Sequence, residues 1–173
     1  MLKDAYNDRK RHKSDVIFNT KCYQAWNGDC FVPTESQDIR VGQIILLKSK
    51  QAAPADCLLL ATGHSDHVAH VDNRAIRGDT RLQTRQAIKE TQRLINSSNL
   101  MEAVNDIQRL DGFIKVEQPN NKLNSFNGSV KLKGFPTAIK IASDRFILSG
   151  STMSHTPWAF GMVVYTGADT KIQ

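Results

Sequence analysis

Short strand-like segments bounded by turn residues recur through most of this chain, and they restrict its fold more than any other feature. Before residue 85 such segments occupy 21–25, 30–32, 44–48, 57–61 and 68–72. After residue 111 they occupy 113–117, 128–132, 137–142, 145–148 and 159–166. Turn residues break up the earlier segments, and each of the later ones is bounded by Gly, Pro, Asn or Asp, which is typical of β-strands joined by turns.

A helical pattern replaces these strands between residues 85 and 111. Apolar residues recur at helical intervals on both sides of Asn96-Ser97-Ser98-Asn99, which predicts two short helices. The sequence therefore predicts a mainly β fold with a small helical insertion (α+β), in the form of a β-sandwich or jelly roll. A doubly wound parallel sheet would need a regular alternation of strand and helix, which is absent.

Length and composition favour one folded domain without a membrane-spanning segment. The chain has 173 residues, of which 40% are hydrophobic, and its longest apolar runs are far shorter than the roughly 20 residues of a membrane helix. Its three cysteines have no Cys-x-x-Cys spacing, so neither a disulfide framework nor a zinc knuckle is predicted. We expect a soluble chain in a reducing compartment.

The net charge of +6 is concentrated most strongly in Arg9-Lys10-Arg11-His12-Lys13. No aromatic side chain interrupts this run, so one usual component of single-stranded nucleic-acid binding is missing, and nucleic acid is not favoured as a partner. The run is either a solvated helix face or a segment beside an anionic membrane surface, where each Lys or Arg contributes about 1 kcal/mol.

Three histidines follow one another at steps of three, at His64, His67 and His70. On a strand such a step changes face each time, and no carboxylate or cysteine stands at a standard ligand spacing. We therefore predict a polar loop and no metal site. No Gly-x-Ser-x-Gly elbow and no Walker-type phosphate loop is present either.

The most distinctive loop of the sequence is Arg77-Gly78-Asp79-Thr80, between a strand-like run and a helical one. A carboxylate on a tight glycine turn can orient a water molecule as a general base. The alternative is structural, because Asp79 and Thr80 can also cap a helix that begins near Arg85. The local sequence favours the cap and leaves both interpretations open.

The order of several motifs resembles one family over nearly the whole chain. The actuator domain of P4-type ATPases, the lipid flippases of the P-type ATPase superfamily, has similar segments in the same order. The matching segments are Lys3-Asp4-Ala5-Tyr6, Arg11-His12-Lys13-Ser14-Asp15, Val41-Gly42 with Ile44, Pro54-Ala55-Asp56-Cys57-Leu58-Leu59-Leu60, Arg85-Gln86-Ala87, Pro119-Asn120 with Leu123, Phe126 and Gly128, Thr156 to Gly161, and Tyr165 to Lys171.

The resemblance implies a distorted jelly-roll actuator domain that brings a loop to the phosphorylated aspartate of another domain. The family loop reads Asp-Gly-Glu-Thr, and its Glu helps to position the water that hydrolyses the aspartyl phosphate. Here Arg77 replaces the first acid and Asp79 replaces the Glu, one methylene shorter, which weakens the site if it shifts the carboxylate by about 1 Å. By resemblance the site residues are Asp79 for the water, Gly78 as hinge, Thr80 as cap and Arg77 beside them.

The same resemblance places cofactors and partners mostly outside this chain. Mg²⁺ and ATP are implied for the parent protein and none for this domain, which alone should not turn over ATP because the Asp-Lys-Thr-Gly-Thr motif is missing. The implied partners are the phosphorylation and nucleotide-binding domains and the membrane helices of the same chain, with a beta subunit as a further option. The domain would lie on the cytosolic side of a membrane.

The expected organisation is a single domain at 1–173. It comprises a basic membrane-proximal segment at 1–15, a β-rich part at 16–84 that carries the loop, a helical insertion at 85–111 and a β-rich part at 112–173. Because the loop is altered at both acidic positions, an alternative parent is a guanylyl cyclase fused to a non-catalytic P4-ATPase-like module.

Overall fold

The structure is a computed structural model that describes residues 16–78 and 81–172. The basic segment at 1–15 lies outside the described residues, and so does the expected contact of Arg9 to Lys13 with lipid headgroups. The strands are β1 (Cys22–Trp26), β2 (Phe31–Glu35), β3 (Ile44–Lys48), β4 (Asp56–Thr62), β5 (Val68–Asp72), β6 (Gln83–Gln86), β7 (Gly112–Val116), β8 (Gly128–Leu132), β9 (Ile139–Ile141), β10 (Phe146–Ile147), β11 (Thr152–Ser154) and β12 (Trp158–Tyr165). The helices are α1 (Arg74–Arg77), α2 (Lys89–Leu94) and α3 (Leu100–Ile107).

The strands form one large sheet and two small ones among the described residues. The large sheet has six antiparallel strands in the order β10-β4-β12-β3-β1-β2, and the small sheets have the orders β11-β5-β6 and β7-β8-β9. In the turn at residues 27–29, the Asn27 side chain accepts hydrogen bonds from the Asp29 and Cys30 N–H groups. This turn closes the β1–β2 hairpin, whose outer strand lies at the sheet edge.

The centre of the large sheet is buried on both faces. All seven residues of β4 are buried, and its alternate side chains enter two different apolar clusters. Leu58 and Leu60 point into the first cluster, whereas Cys57 and Leu59 point into the second. This is why β4 has a continuous apolar sequence instead of the alternating pattern of a half-exposed strand.

The two small sheets cover opposite faces of the large one. Ala69 and Val71 of β5 belong to the second cluster, as does Met153 of β11. Val130 and Leu132 of β8 belong to the first cluster, together with buried residues of the helical insertion. The result confirms the predicted mainly β fold with a small helical insertion, in a sandwich-like arrangement. The jelly-roll winding of the strands stays a prediction.

The helical insertion consists of the two predicted short helices, α2 and α3. Asn99 caps α3 by accepting a hydrogen bond from the Met101 N–H, and Ala103 and Ile107 pack into the first cluster. The Trp158 indole N–H of β12 donates to the Ser98 carbonyl at 3.1 Å and so ties the inter-helix turn to the central sheet.

One boundary of the predicted organisation is wrong. Residues 83–86 form β6, so the helical part begins at Lys89 and not at Arg85. This segment has the polar sequence Gln-Thr-Arg-Gln and little local preference for a strand, but pairing with β5 satisfies its backbone hydrogen bonds. The short strand β11 and the single-turn helix α1 were also missed.

Among residues 16–78 and 81–172, no helix has both the length and the apolar character needed to cross a membrane.

Candidate functional site

The loop singled out by the sequence projects from the small sheet β11-β5-β6. β5 leads through Asn73 into α1, and the chain returns in β6. The Val71↔Gln83 pair is the last register pair of the β5–β6 ladder and closes the base of the projection. Beyond this base, Arg74 and Gly78 are exposed, so the projection is open to contact from outside the domain.

Hydrogen bonds at the base hold the two ends of the projection together. Asn73 is buried and donates from Nδ2 to Gln83 Oε1 at 2.9 Å, and the same oxygen accepts a hydrogen bond from Arg85 Nη2 at 2.7 Å. On the outer side, Arg74 Nη2 lies 2.6 Å from Asp72 Oδ2. The Arg74 side-chain hydrogen bond, with help from the Arg74 N–H, lowers the pKa of Asp72.

Gly78 supplies the predicted turn. Its φ of +67° lies in the left-handed region, and its N–H donates to the Arg74 carbonyl at 3.0 Å, which ends α1. Apart from its chain neighbours, no described residue places a heavy atom within 4 Å of the position that a Cβ would take, so the preference for glycine here comes from the backbone.

The remaining predicted site residues lie at or beyond the end of this helix. Arg77 is the last residue of α1, and Asp79 and Thr80 lie outside the described residues. The catalytic roles of Arg77, Gly78, Asp79 and Thr80 therefore stay predictions. The alternative in which Asp79 and Thr80 cap a helix near Arg85 is wrong, because Arg85 lies within β6.

A second polar cluster surrounds Asp56, the last residue of the Pro-Ala-Asp turn and the first of β4. Its carboxylate binds the backbone of segments that are distant in the chain. Oδ1 accepts a hydrogen bond from the Ser149 N–H and Oδ2 accepts one from the Lys171 N–H, each at 2.7 Å. Burial raises the pKa of Asp56 and outweighs these two hydrogen bonds.

The Lys171 side chain extends this cluster and is itself fully buried. Its Nζ donates to Asn120 Oδ1 at 2.8 Å, lies 3.2 Å from Glu117 Oε1 and sits over the Phe146 ring. The pKa of Glu117 is lowered mainly by the hydrogen bond from Asn120. Partial burial acts in the opposite direction, and Lys171 adds to the lowering. Local sequence held no signal for this cluster, because Lys171 is more than 50 residues away from both Glu117 and Asn120.

Only two of the three histidines lie close to each other. His64 and His70 face each other with ring centroids 5.5 Å apart, and Asp66 joins them, whereas His67 is not part of the group. In the sequence, no carboxylate stands at a standard ligand spacing when the run is treated as a strand. His64 instead lies in the turn between β4 and β5, where Asp66 contacts it, and His67 has a left-handed φ of +61°.

No family model matches the chain. Similar curated proteins nevertheless align with almost all of it. Phospholipid-transporting ATPase 1 of Arabidopsis thaliana is 34% identical over 98% of the chain, and Phospholipid-transporting ATPase DRS2 of Saccharomyces cerevisiae is 31% identical over 99%. A guanylate cyclase of Toxoplasma gondii is 35% identical over 100% of the chain.

The alignments cover only a small part of these larger relatives. The chain spans 14% of the Arabidopsis protein, 12% of the yeast protein and 4% of the Toxoplasma protein. Similarity of about one third over an entire folded domain, in motifs that keep their order, nevertheless shows common descent. The chain is therefore related, over nearly its whole length, to P4-type phospholipid-transporting ATPases and to guanylate cyclases that share this region.

Proposed function

We propose that this chain is the actuator domain of a P4-type phospholipid-transporting ATPase and that residues 77–80 act on the aspartyl phosphate of the parent protein. The observation that carries the proposal is the similarity to phospholipid-transporting ATPases along 98–99% of the chain. The exposed projection between β5 and β6 supports it, because such a loop can reach a phosphate held by another domain.

In this proposal Asp79 orients the water that attacks the aspartyl phosphate. The attack breaks the phosphorus–oxygen bond to the aspartate, releases inorganic phosphate and regenerates the free carboxylate. Gly78 lets the backbone turn at the end of α1, and Arg77 adds a positive charge two positions before Asp79 in the sequence. The shorter side chain of Asp79 gives a slower reaction than a glutamate would.

ATP and Mg²⁺ belong to other parts of the proposed parent. Among the described residues, the one group suited to a metal ion contains two imidazoles, whereas Mg²⁺ prefers oxygen ligands. The proposed partners are accordingly the phosphorylation and nucleotide-binding domains and the membrane helices of the same parent. The domain would face the cytosol, and a beta subunit is a further proposed partner.

Phosphoenzyme decay in the full-length parent tests the proposal. The phosphoenzyme is labelled from ATP carrying a radioactive γ-phosphate and chased with unlabelled ATP. We expect Asp79→Ala to slow the decay by at least about tenfold, and Asp79→Glu to accelerate it by restoring the missing methylene. Asp29→Ala, which removes an exposed carboxylate from the β1–β2 turn, is the matched control. Equal decay of Asp79→Ala and the native protein would refute the role of Asp79.

A second candidate function follows from the 35% identity to the Toxoplasma guanylate cyclase. In that case the chain is a non-catalytic regulatory module of a cyclase fusion, and the replacement of the first acid of the loop by Arg77 reflects lost phosphatase chemistry. The same labelling experiment separates the two candidates, since this one predicts that the full-length parent forms no phosphoenzyme.

A further inference from the structure

The turn between β4 and β5 gathers three metal-ligating side chains that are unrelated to the loop at 77–80. His64 and Asp66 lie in the turn and His70 lies in β5, and one donor atom from each lies within 4.8 Å of the others. His64 Nδ1 is 2.6 Å from Asp66 Oδ1, so two of the three groups are already in contact.

Hydrogen bonds hold the backbone that carries these side chains. The His67 N–H donates to the His64 carbonyl at 3.0 Å and closes the turn, and the Val68 N–H donates to Asp66 Oδ1 at 3.1 Å. His70 pairs in register with Thr84 on one side and Ser154 on the other. The third donor is therefore anchored in the middle strand of a sheet.

The chemistry of the donors selects one class of cation. Two imidazoles and one carboxylate are the ligand types of Zn²⁺ and related first-row metals, whereas Ca²⁺ and Mg²⁺ prefer sets made of oxygen.

We propose that His64, Asp66 and His70 form a binding site for Zn²⁺ or a similar divalent transition metal, with water in the fourth position. Tetrahedral zinc with bonds of 2.0–2.1 Å places its ligand atoms about 3.4 Å apart. Donor atoms that are up to 4.8 Å apart must therefore approach one another by roughly 1 Å, whereas His64 Nδ1 and Asp66 Oδ1 must give up their 2.6 Å contact and separate by slightly less. Rotation about the χ angles supplies both movements. The exposed fractions of the His64 and Asp66 side chains, 33% and 54%, leave room for this movement and for the water.

A bound cation would connect the β4–β5 turn to β5. β5 continues through Asn73 into the projection at 74–82, so the metal would brace the strand that leads to this loop. The site uses none of residues 77–80 and needs no phosphoenzyme, so it stands whether or not the proposed actuator function does.

Titration of the tag-free 173-residue chain with Co²⁺, followed by displacement with Zn²⁺, tests the site. We expect saturable 1:1 binding with the visible absorption of tetrahedral Co²⁺. His64→Asn, Asp66→Asn and His70→Asn are each expected to weaken binding by about tenfold or more. His67→Asn is the matched control, because it removes an imidazole from the same turn, and Asn tolerates the left-handed backbone of His67.

Circular dichroism confirms that each variant is folded before titration. Histidine side-chain NMR of the native chain gives a second measurement that needs no variant, and in it Zn²⁺ should shift the His64 and His70 resonances but not those of His67. The proposal is overturned if the native chain shows no saturable 1:1 binding. It is equally overturned if His67→Asn weakens binding as much as the three ligand variants do, or if those variants bind as the native chain does.

Discussion

Replacement of Asp56 by asparagine tests whether this carboxylate stabilises the fold through its two acceptor oxygens. Asp56 is buried and accepts one backbone hydrogen bond on each oxygen, from Ser149 and from Lys171. Asparagine has nearly the same shape but only one acceptor oxygen. In either amide orientation, an NH₂ group therefore faces one of the two backbone N–H groups.

The magnitude follows from the group left without a partner. One buried unsatisfied donor costs about 1–3 kcal/mol. Removing the carboxylate also removes the desolvation that raises the pKa of Asp56, which offsets part of this loss. We expect Asp56→Asn to lower the free energy of unfolding by about 2 kcal/mol. Asp56→Ala should lower it further, because it leaves both donors unpaired and creates a cavity.

Urea unfolding followed by tryptophan fluorescence measures the effect, with the buried Trp158 as the reporter. With an m value of about 2 kcal/mol/M, the midpoint of Asp56→Asn should fall by roughly 1 M. Asp29→Asn changes an exposed carboxylate and should stay within about 0.5 kcal/mol of the native chain. A midpoint of Asp56→Asn equal to that of the native chain would refute the acceptor argument.

Two further predictions concern Gly78 and Glu117. Gly78→Ala should destabilise the chain by about 1 kcal/mol, because the backbone at this position is left-handed, and Gly78→Asn should destabilise it by less. Equal thermal stability of Gly78→Ala and the native chain would contradict this prediction. The lowered pKa of Glu117 adds stability that is present above pH about 4.3 and lost as pH falls through the folded-state pKa. When unfolding is measured between pH 7 and 3, the free energy of unfolding should therefore fall less for Glu117→Gln than for the native chain. An equal fall in both would contradict this prediction.

The sequence predicted an element well where the pattern of apolar and polar residues within the segment matches its burial in the structure. β3, β5 and β8 coincide with the predicted segments, and the two helices on either side of Asn96 to Asn99 are present. These segments consist of apolar residues bounded by turn residues, so the local pattern and the final environment agree. Gly78 was predictable for the same reason, because its backbone conformation needs no distant partner.

Errors arose where a distant partner decides the structure. β6 is polar and becomes a strand because β5 lies beside it. Asp56 bonds Ser149 and Lys171, which are 93 and 115 residues away in the chain. The His64, Asp66 and His70 group was missed because a turn, not a strand, sets the direction of its side chains.

The sequence by itself determined the β-rich class, the presence of a helical insertion, the glycine turn at 78 and, through the order of its motifs, the resemblance to P4-type ATPases. Hydrophobic burial and backbone conformational preference act through neighbouring residues, so a linear pattern records them. Only the tertiary structure decided which polar groups meet. Hydrogen bonds and metal ligands require atoms within about 3 Å, and folding brings together residues that the sequence separates.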